Sequence, residues 1–152
     1  MEGPNKFDKD LEDVVYFRIE RTMRRVKAHT RKVLKAHNFG VTIDQWITLK
    51  RLSEVPDGIS QMELAASTFK DPAAITRILD HLVKKELVLR QTVAHDRRTL
   101  NLQLSEKGWA LVRRMTPHVQ AIRQKGVNLL SSEEAEDLKS ILDKIYHSME
   151  PE

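Results

Sequence analysis

Apolar residues recur at helical spacing near both ends of the chain. In the first segment they step by three or four positions and share one face of a helix predicted over residues 11–36: Val15, Ile19, Met23, Val26, Thr30 and Val33. Ser105 is placed to cap a second helix, which runs to about residue 130 and is interrupted by Pro117. Ser131 and Glu134 form a capping box that opens a last helix. The apolar stripe of that helix consists of Leu138, Ile141, Leu142 and Ile145.

Shorter helices with explicit start signals occupy the middle of the chain. Two capping boxes open helices at residues 43–53 and 61–67: Thr42 with Gln45, and Ser60 with Glu63. Asp71 caps the next helix, over residues 72–85, and Pro72 occupies its first position, where the missing N–H costs nothing. The buried face of this helix is predicted to consist of Ile75, Ile78, Leu79 and Leu82.

Two β-like runs follow, Val88–Val93 and residues 100–104, on either side of a basic tip at residues 94–99. Two helices followed by a basic hairpin are typical of a protein that inserts one helix in a DNA major groove and an arginine in the adjacent minor groove. The predicted fold class is therefore mainly α with a small β wing.

The long terminal helices have apolar stripes that the winged unit does not need for its own cover. They could pack on each other within one chain, but we favour packing against a second copy, because helices this long rarely close a compact monomeric core of this size. We accordingly divide the chain into a helical dimerisation lobe, residues 1-40 and 106-152, and a winged helix-turn-helix DNA-binding lobe, residues 41-105.

The charge is unevenly distributed. Residues 1–13 hold five acids and two lysines and residues 131–152 hold seven acids and two lysines, so the overall charge of +4 leaves +12 on residues 14–130. A basic middle is typical of a phosphate-binding protein, although a solvated surface with uneven lysines would look the same. The basic face of the first helix is the weakest part of this argument, because that helix belongs to the predicted dimer lobe.

Several classes of protein are disfavoured. The chain has no cysteine, which excludes disulfides and thiolate zinc sites, and no pair of its histidines has the spacing of a metalloprotease helix, so we predict no metal and no cofactor. A P-loop, a Rossmann fingerprint and a nucleophile elbow are missing, and we predict that the protein is not an enzyme. No apolar run approaches a membrane span and the start has no signal core, so we expect a cytoplasmic protein.

Four stretches resemble the MarR family of bacterial winged-helix transcription regulators. They are residues 41–49 (VTIDQWITL), 63–65 (ELA), 75–85 (ITRILDHLVKK), and 96–98 (DRR) followed by 104–108 (LSEKG). The last is the most specific, since the family's wing has Asp-x-Arg, then a strand, a leucine, a small hydroxyl residue and a glycine at this distance. The resemblance extends from about residue 8 to residue 149.

The resemblance implies a DNA-binding role for the helix at 72–85 and for the wing. The residues expected to contact DNA are Ser60, Lys70, Pro72, Ala73, Ala74, Thr76, Arg77, His95, Arg97 and Arg98. Arg98 would enter the minor groove, held by Asp96. Arg77 could instead pair with Asp71 or Asp80 on the helix surface, but we favour DNA contact.

Three residues depart from the family pattern. Glu86 stands where many relatives have glycine, and a left-handed conformation there would cost about 1 kcal/mol. Phe69 and Lys70 replace the small and apolar residues that are common in the turn between the two helices. We interpret Phe69 as a core anchor and Lys70 as a phosphate contact.

The function implied is a dimeric transcription regulator, a repressor, that binds double-stranded DNA at a palindromic operator. The resemblance also implies control by a small aromatic or phenolic ligand, with Tyr16, Trp46, Thr76 and Arg90 as the expected contacts. An apolar pocket could equally be empty packing space, and Trp46 a core residue. Two alternatives remain: a ligand-insensitive DNA-binding protein, and a winged-helix module that binds another protein.

Overall fold

The computed structural model describes residues 8–93 and 96–151, and for residues 93 and 96–99 it describes the backbone alone. In chain order the elements are a 3-10 turn (Leu11–Asp13), α1 (Val15–Ala36), α2 (Ile43–Glu54), β1 (Ile59–Ser60), α3 (Gln61–Ser67), α4 (Pro72–Lys84), β2 (Val88–Val93), β3 (Asp96–Leu104), α5 (Glu106–Val127) and α6 (Ser132–Ser148). The predicted fold class, mainly α with a small β wing, is confirmed. None of the described helices combines the length and the hydropathy that a membrane-spanning helix requires.

The helix starts that the sequence signals are confirmed. All three capping boxes are formed in both directions, at α2, α3 and α6. The first helix was predicted from residue 11 but begins at Val15, because Val14 is extended (φ −88°, ψ 118°) and separates it from the 3-10 turn. Pro117 lies inside α5, which ends at Val127 rather than near residue 130.

The core of the winged unit lies between α2, α3, α4 and the sheet. Its fully buried side chains come from all of these elements and from α5: Thr48, Leu49, Leu52, Leu64, Ile75, Leu79, Leu82, Val88, Leu102 and Met115. Three of the four residues predicted for the buried face of α4 are among them, and Ile78 is half-buried. This packing fixes which face of α4 remains available to a partner.

The three strands form an antiparallel sheet in the order β1-β3-β2. Arg90 of β2 and Ile59 of β1 both pair with Leu102 of β3, and the register shifts between Thr92 and Val93 near the wing tip. The predicted second run began at residue 100, whereas β3 begins at Asp96, so residues 96–99 of the expected tip are strand.

Residues 104–108 (LSEKG) connect β3 to α5, and Ser105 in this stretch forms a hydrogen bond with the backbone just after α4. Glu86 has φ +60°, so it adopts the left-handed conformation that was considered for this position. The Ser105 hydroxyl donates to the Glu86 carbonyl (2.6 Å) and accepts from the Gly108 N–H (2.9 Å). A Cβ on Gly108 would lie 2.1 Å from the Leu87 carbonyl oxygen, so only glycine permits this approach. These contacts of Ser105 and Gly108 explain the LSEKG motif by packing within the protein.

The described chain divides inside α5, between His118 and Val119, into two compact units. In the first, the α1 stripe is partly uncovered, with Val15 56% and Met23 45% exposed. In the second, α6 exposes Leu138, Ile141 and Leu142 by 40–52%. The domain boundaries predicted at residues 40 and 106 concern the role of these helices in a dimer and remain a prediction.

Candidate nucleic-acid interface

One face of the first two turns of α4 is exposed to solvent. The Asp71 carboxylate accepts a hydrogen bond from the Ala74 N–H (2.9 Å), which fixes the start of the helix. Because Ile75 and Leu79 are buried, the opposite face is available. The predicted contact residues lie there, and all except the half-buried Ala74 are exposed: Pro72, Ala73, Thr76 and Arg77.

Arg77 has no carboxylate partner among the described residues. The two acids that could have paired with it are engaged elsewhere: Asp71 caps α4, and Asp80 binds the Arg90 guanidinium (2.8 Å). The surface ion pair considered as an alternative for Arg77 is therefore not formed. A guanidinium kept free on an exposed helix face can bind a phosphate or the edge of a guanine.

Thr76 is held by two hydrogen bonds. Its hydroxyl donates to the Pro72 carbonyl (2.8 Å) and accepts from the Gln61 side-chain amide (2.8 Å). Gln61 was not among the predicted site residues. Nothing in the sequence connects the two positions, because the contact joins the start of α3 to the second turn of α4.

Two predicted DNA-contact residues of the helix-turn-helix are engaged within the protein. Lys70 was predicted to contact phosphate, and its ammonium lies 2.6 Å from the Asp44 carboxylate of α2. The backbone N–H of Ser60, predicted to bind a phosphate, donates to the Glu63 carboxylate (3.0 Å). That bond, together with the bond from the Ser60 hydroxyl, lowers the pKa of Glu63. The interpretation of Phe69 as a core anchor is wrong, since it is 76% exposed.

Backbone conformation explains the position of Phe69. It has φ +55° and follows Thr68, the C-cap residue of α3. Its N–H donates to Ala66, and the N–H of Lys70 donates to Ala65, as in a left-handed helix cap. The chain reverses at this residue, so its side chain turns away from the core.

The wing is described mainly by its backbone. Asp96, Arg97 and Arg98 lie in β3, and their side chains are outside the described part of the structure. His95, expected to contact phosphate, lies outside the described residues altogether. Their expected DNA contacts remain predictions.

The residues expected to bind a ligand do not form one site. Trp46 is buried in the core (5% exposed), Tyr16 is 54% exposed on α1, and Thr76 lies on the outer face of α4. Arg90 binds Asp80, and its buried Nε has no hydrogen-bond partner. The interpretation of Trp46 as a core residue is the one the structure supports.

A basic groove lies between the second half of α1 and the start of α2. Its volume is about 680 Å³, and none of the four predicted ligand residues lines it. Lys27, Arg31 and Lys35 occupy successive turns of α1 along the groove, and Lys85, which donates to the Gly40 carbonyl, lines it as well. Leu34, Val41 and Ile43 add apolar lining, and the acid Asp44 also lines the groove, with its carboxylate paired to Lys70 (2.6 Å). Within residues 8–93 and 96–151, no cluster of three metal-ligating side chains is present.

Known proteins resemble the chain over most of its length. A model of the MarR family matches residues 39–99. The chain is 27% identical to S. aureus MepR, solved as a DNA complex, with a TM-score of 0.82 over 90% of this chain and 98% of that chain. It is 25% identical to AbsC, a MarR family transcriptional regulator from Streptomyces coelicolor, with a TM-score of 0.84 over 95% and 97%. A probable transcriptional regulator from Pseudomonas aeruginosa is 28% identical, with a TM-score of 0.77 over 90% and 99%.

The family match begins just before α2 and ends in the wing, so it covers the elements that form the candidate interface. The solved structures extend the likeness to at least nine-tenths of the chain. Together these comparisons support a MarR-type transcription regulator that binds DNA through a winged helix.

Proposed function

We propose that the protein is a homodimeric repressor that binds a palindromic operator and is controlled by a small anionic ligand. The DNA-binding part of this proposal rests on the outer face of α4. Arg77 is exposed there, and the neighbouring acids Asp71 and Asp80 are engaged with other partners. A helix held in this way can enter the major groove with a guanidinium that is paired with no carboxylate of the described residues.

The uncovered apolar stripes support the dimer. On α6, Leu138, Ile141 and Leu142 remain 40–52% exposed, and α1 exposes Val15 and Met23. Burying such a stripe contributes roughly 25 cal/mol for each Å² of apolar surface removed from water. A second copy of the same helices offers the matching surface, and its twofold symmetry would present two α4 helices about 34 Å apart, one turn of DNA.

The wing would add a second contact to each half-site. Arg98 is proposed to enter the minor groove, with Asp96 as its support and with Arg97 and His95 near phosphates. Arg98→Ala should then weaken DNA binding at fixed salt and leave the thermal unfolding temperature unchanged. Unaltered affinity would contradict the assignment of the wing.

The basic groove supports control by an anion. Lys27, Arg31 and Lys35 present three positive charges with no carboxylate within 4 Å among the described residues, beside apolar lining. A small aromatic or phenolic acid has the matching charge and apolar body. We assign the ligand to this groove in place of Tyr16, Trp46, Thr76 and Arg90. It would act by favouring one spacing of the two α4 helices over another.

Selection of bound duplexes from a random DNA pool tests the main proposal. The expected result is a palindrome whose half-sites lie about one helical turn apart, bound by a dimer with an affinity that falls steeply with salt. A protein-interaction module would recover no sequence and show no dependence on salt. A monomer on the recovered DNA would contradict the dimer.

The ligand proposal has its own test. Salicylate and related aromatic acids should raise the unfolding temperature and change the affinity for the recovered duplex, and Arg31→Ala should abolish both effects. Lys144→Ala, which removes a charge from an exposed position of α6, is the matched control. If no acid changes either quantity, the protein is a ligand-insensitive DNA-binding protein.

A further inference from the structure

The hydroxyl of Thr76 is already used inside the protein. A hydroxyl has one hydrogen to donate and two lone pairs to accept with. In Thr76 the hydrogen goes to the Pro72 carbonyl and one lone pair accepts from the Gln61 amide, both at 2.8 Å. Thr76 therefore cannot donate to a base unless one of these bonds is broken.

The methyl is the group of Thr76 that these two bonds leave unused, and the oxygen keeps only one lone pair with which to accept. The residue is exposed, and its oxygen is turned back to the helix backbone and to α3. Ala73, three residues earlier, is also exposed and lies on the same face. Together they form a small methyl surface beside Arg77, which is the polar group of that face.

In the major groove, the standard base that offers a methyl group is thymine. We propose that Thr76 and Ala73 contact thymine methyl groups in each operator half-site, and that Gln61 is a positioning residue that keeps the Thr76 methyl directed outward. This inference rests on the proposed entry of α4 into the major groove. It reverses the simplest reading of a threonine on a recognition helix, which is a hydrogen-bonding residue.

Two substitutions at Thr76 separate its methyl from its hydroxyl. Thr76→Val keeps the methyl and puts a second methyl in place of the hydroxyl, so a methyl faces outward without the bond from Gln61. Thr76→Ser keeps the hydroxyl and removes the methyl. On the duplex recovered by selection, we expect Thr76→Val to bind within about twofold of the unmodified protein. Thr76→Ser should lose about fourfold per half-site, the value of one buried methyl group. Circular dichroism of both variants checks that the fold is retained.

Deoxyuridine provides the matching change on the DNA, because it is thymidine without the methyl. Replacing the thymine contacted by Thr76, and not the one contacted by Ala73, should weaken the unmodified protein and Thr76→Val by similar factors and leave Thr76→Ser nearly unchanged. Gln61→Ala should reduce the ratio of affinities for the thymine and deoxyuridine duplexes, which a purely structural role for Gln61 would not alter.

The outcomes are distinguishable. A loss for Thr76→Val equal to or larger than that for Thr76→Ser, or an equal response of all proteins to deoxyuridine, would overturn the inference while leaving DNA binding in place. A protein that selects no duplex would overturn the proposed function and the inference with it.

Discussion

Replacing Arg77 by alanine removes the free guanidinium from the outer face of α4. A bidentate arginine contact with a guanine contributes about 1–3 kcal/mol of discrimination. A dimer makes the contact twice, so the expected loss is about 2–6 kcal/mol, which is at least roughly 30-fold in Kd at constant salt. Stability should change little, because Arg77 is exposed and has no ion-pair partner among the described residues.

Fluorescence anisotropy with the selected duplex measures this loss, and two further variants define its cause. Arg77→Lys keeps the charge and removes the planar fork, so a large loss indicates a base contact and a small one a phosphate contact. Lys144→Ala removes the same charge from exposed α6 and should bind normally. Binding of Arg77→Ala within twofold of the unmodified protein, or an equal loss for Lys144→Ala, would refute the reasoning.

Three further predictions concern stability. Gly108→Ala should lower the free energy of unfolding in urea by about 1–3 kcal/mol, because its Cβ would meet a backbone carbonyl, whereas Gly126→Ala, which has nothing within 4 Å of its Cβ, should not destabilise the protein. Glu86→Gly should stabilise by about 1 kcal/mol by relieving a positive φ, and a neutral or destabilising result would count against strain at that position. The lowered pKa of Glu63 means that its carboxylate stabilises the fold above pH 4.5 and that this contribution disappears as the pH falls through the lowered value. Thermal unfolding of Glu63→Gln should accordingly depend less on acid pH than that of the unmodified protein, and identical pH profiles would contradict the bond to Ser60.

Local signals predicted the helix starts well. Thr42, Ser60 and Ser131 each bond a backbone N–H three residues later, so the residues that define these starts are neighbours in sequence. Helix ends and the wing were predicted less well. No residue type signals the extended Val14, and β3 lengthens to Asp96 through pairing with β2, which is not a local property.

The candidate site was predictable where it depends on one helix. The exposed and buried faces of α4 follow from the periodicity of Ile75, Leu79 and Leu82. The hydrogen-bond and ion-pair partners of the polar residues at this site could not be predicted from the sequence, because they are distant along the chain. The bonds of Thr76 with Gln61, and of Lys70 with Asp44, span 15 and 26 residues.

The central claim is that two copies of α4 lie in successive major grooves. The chain has no cysteine, so His81→Cys gives one attachment point for iron-EDTA on the exposed face of α4, one turn beyond Arg77 and outside the proposed base contacts. On the selected duplex, the labelled protein should cleave in two symmetric clusters about 10 base pairs apart, centred on the major groove. Cleavage at a single position, or a pattern no different from that of protein labelled at Lys144→Cys, would contradict the account.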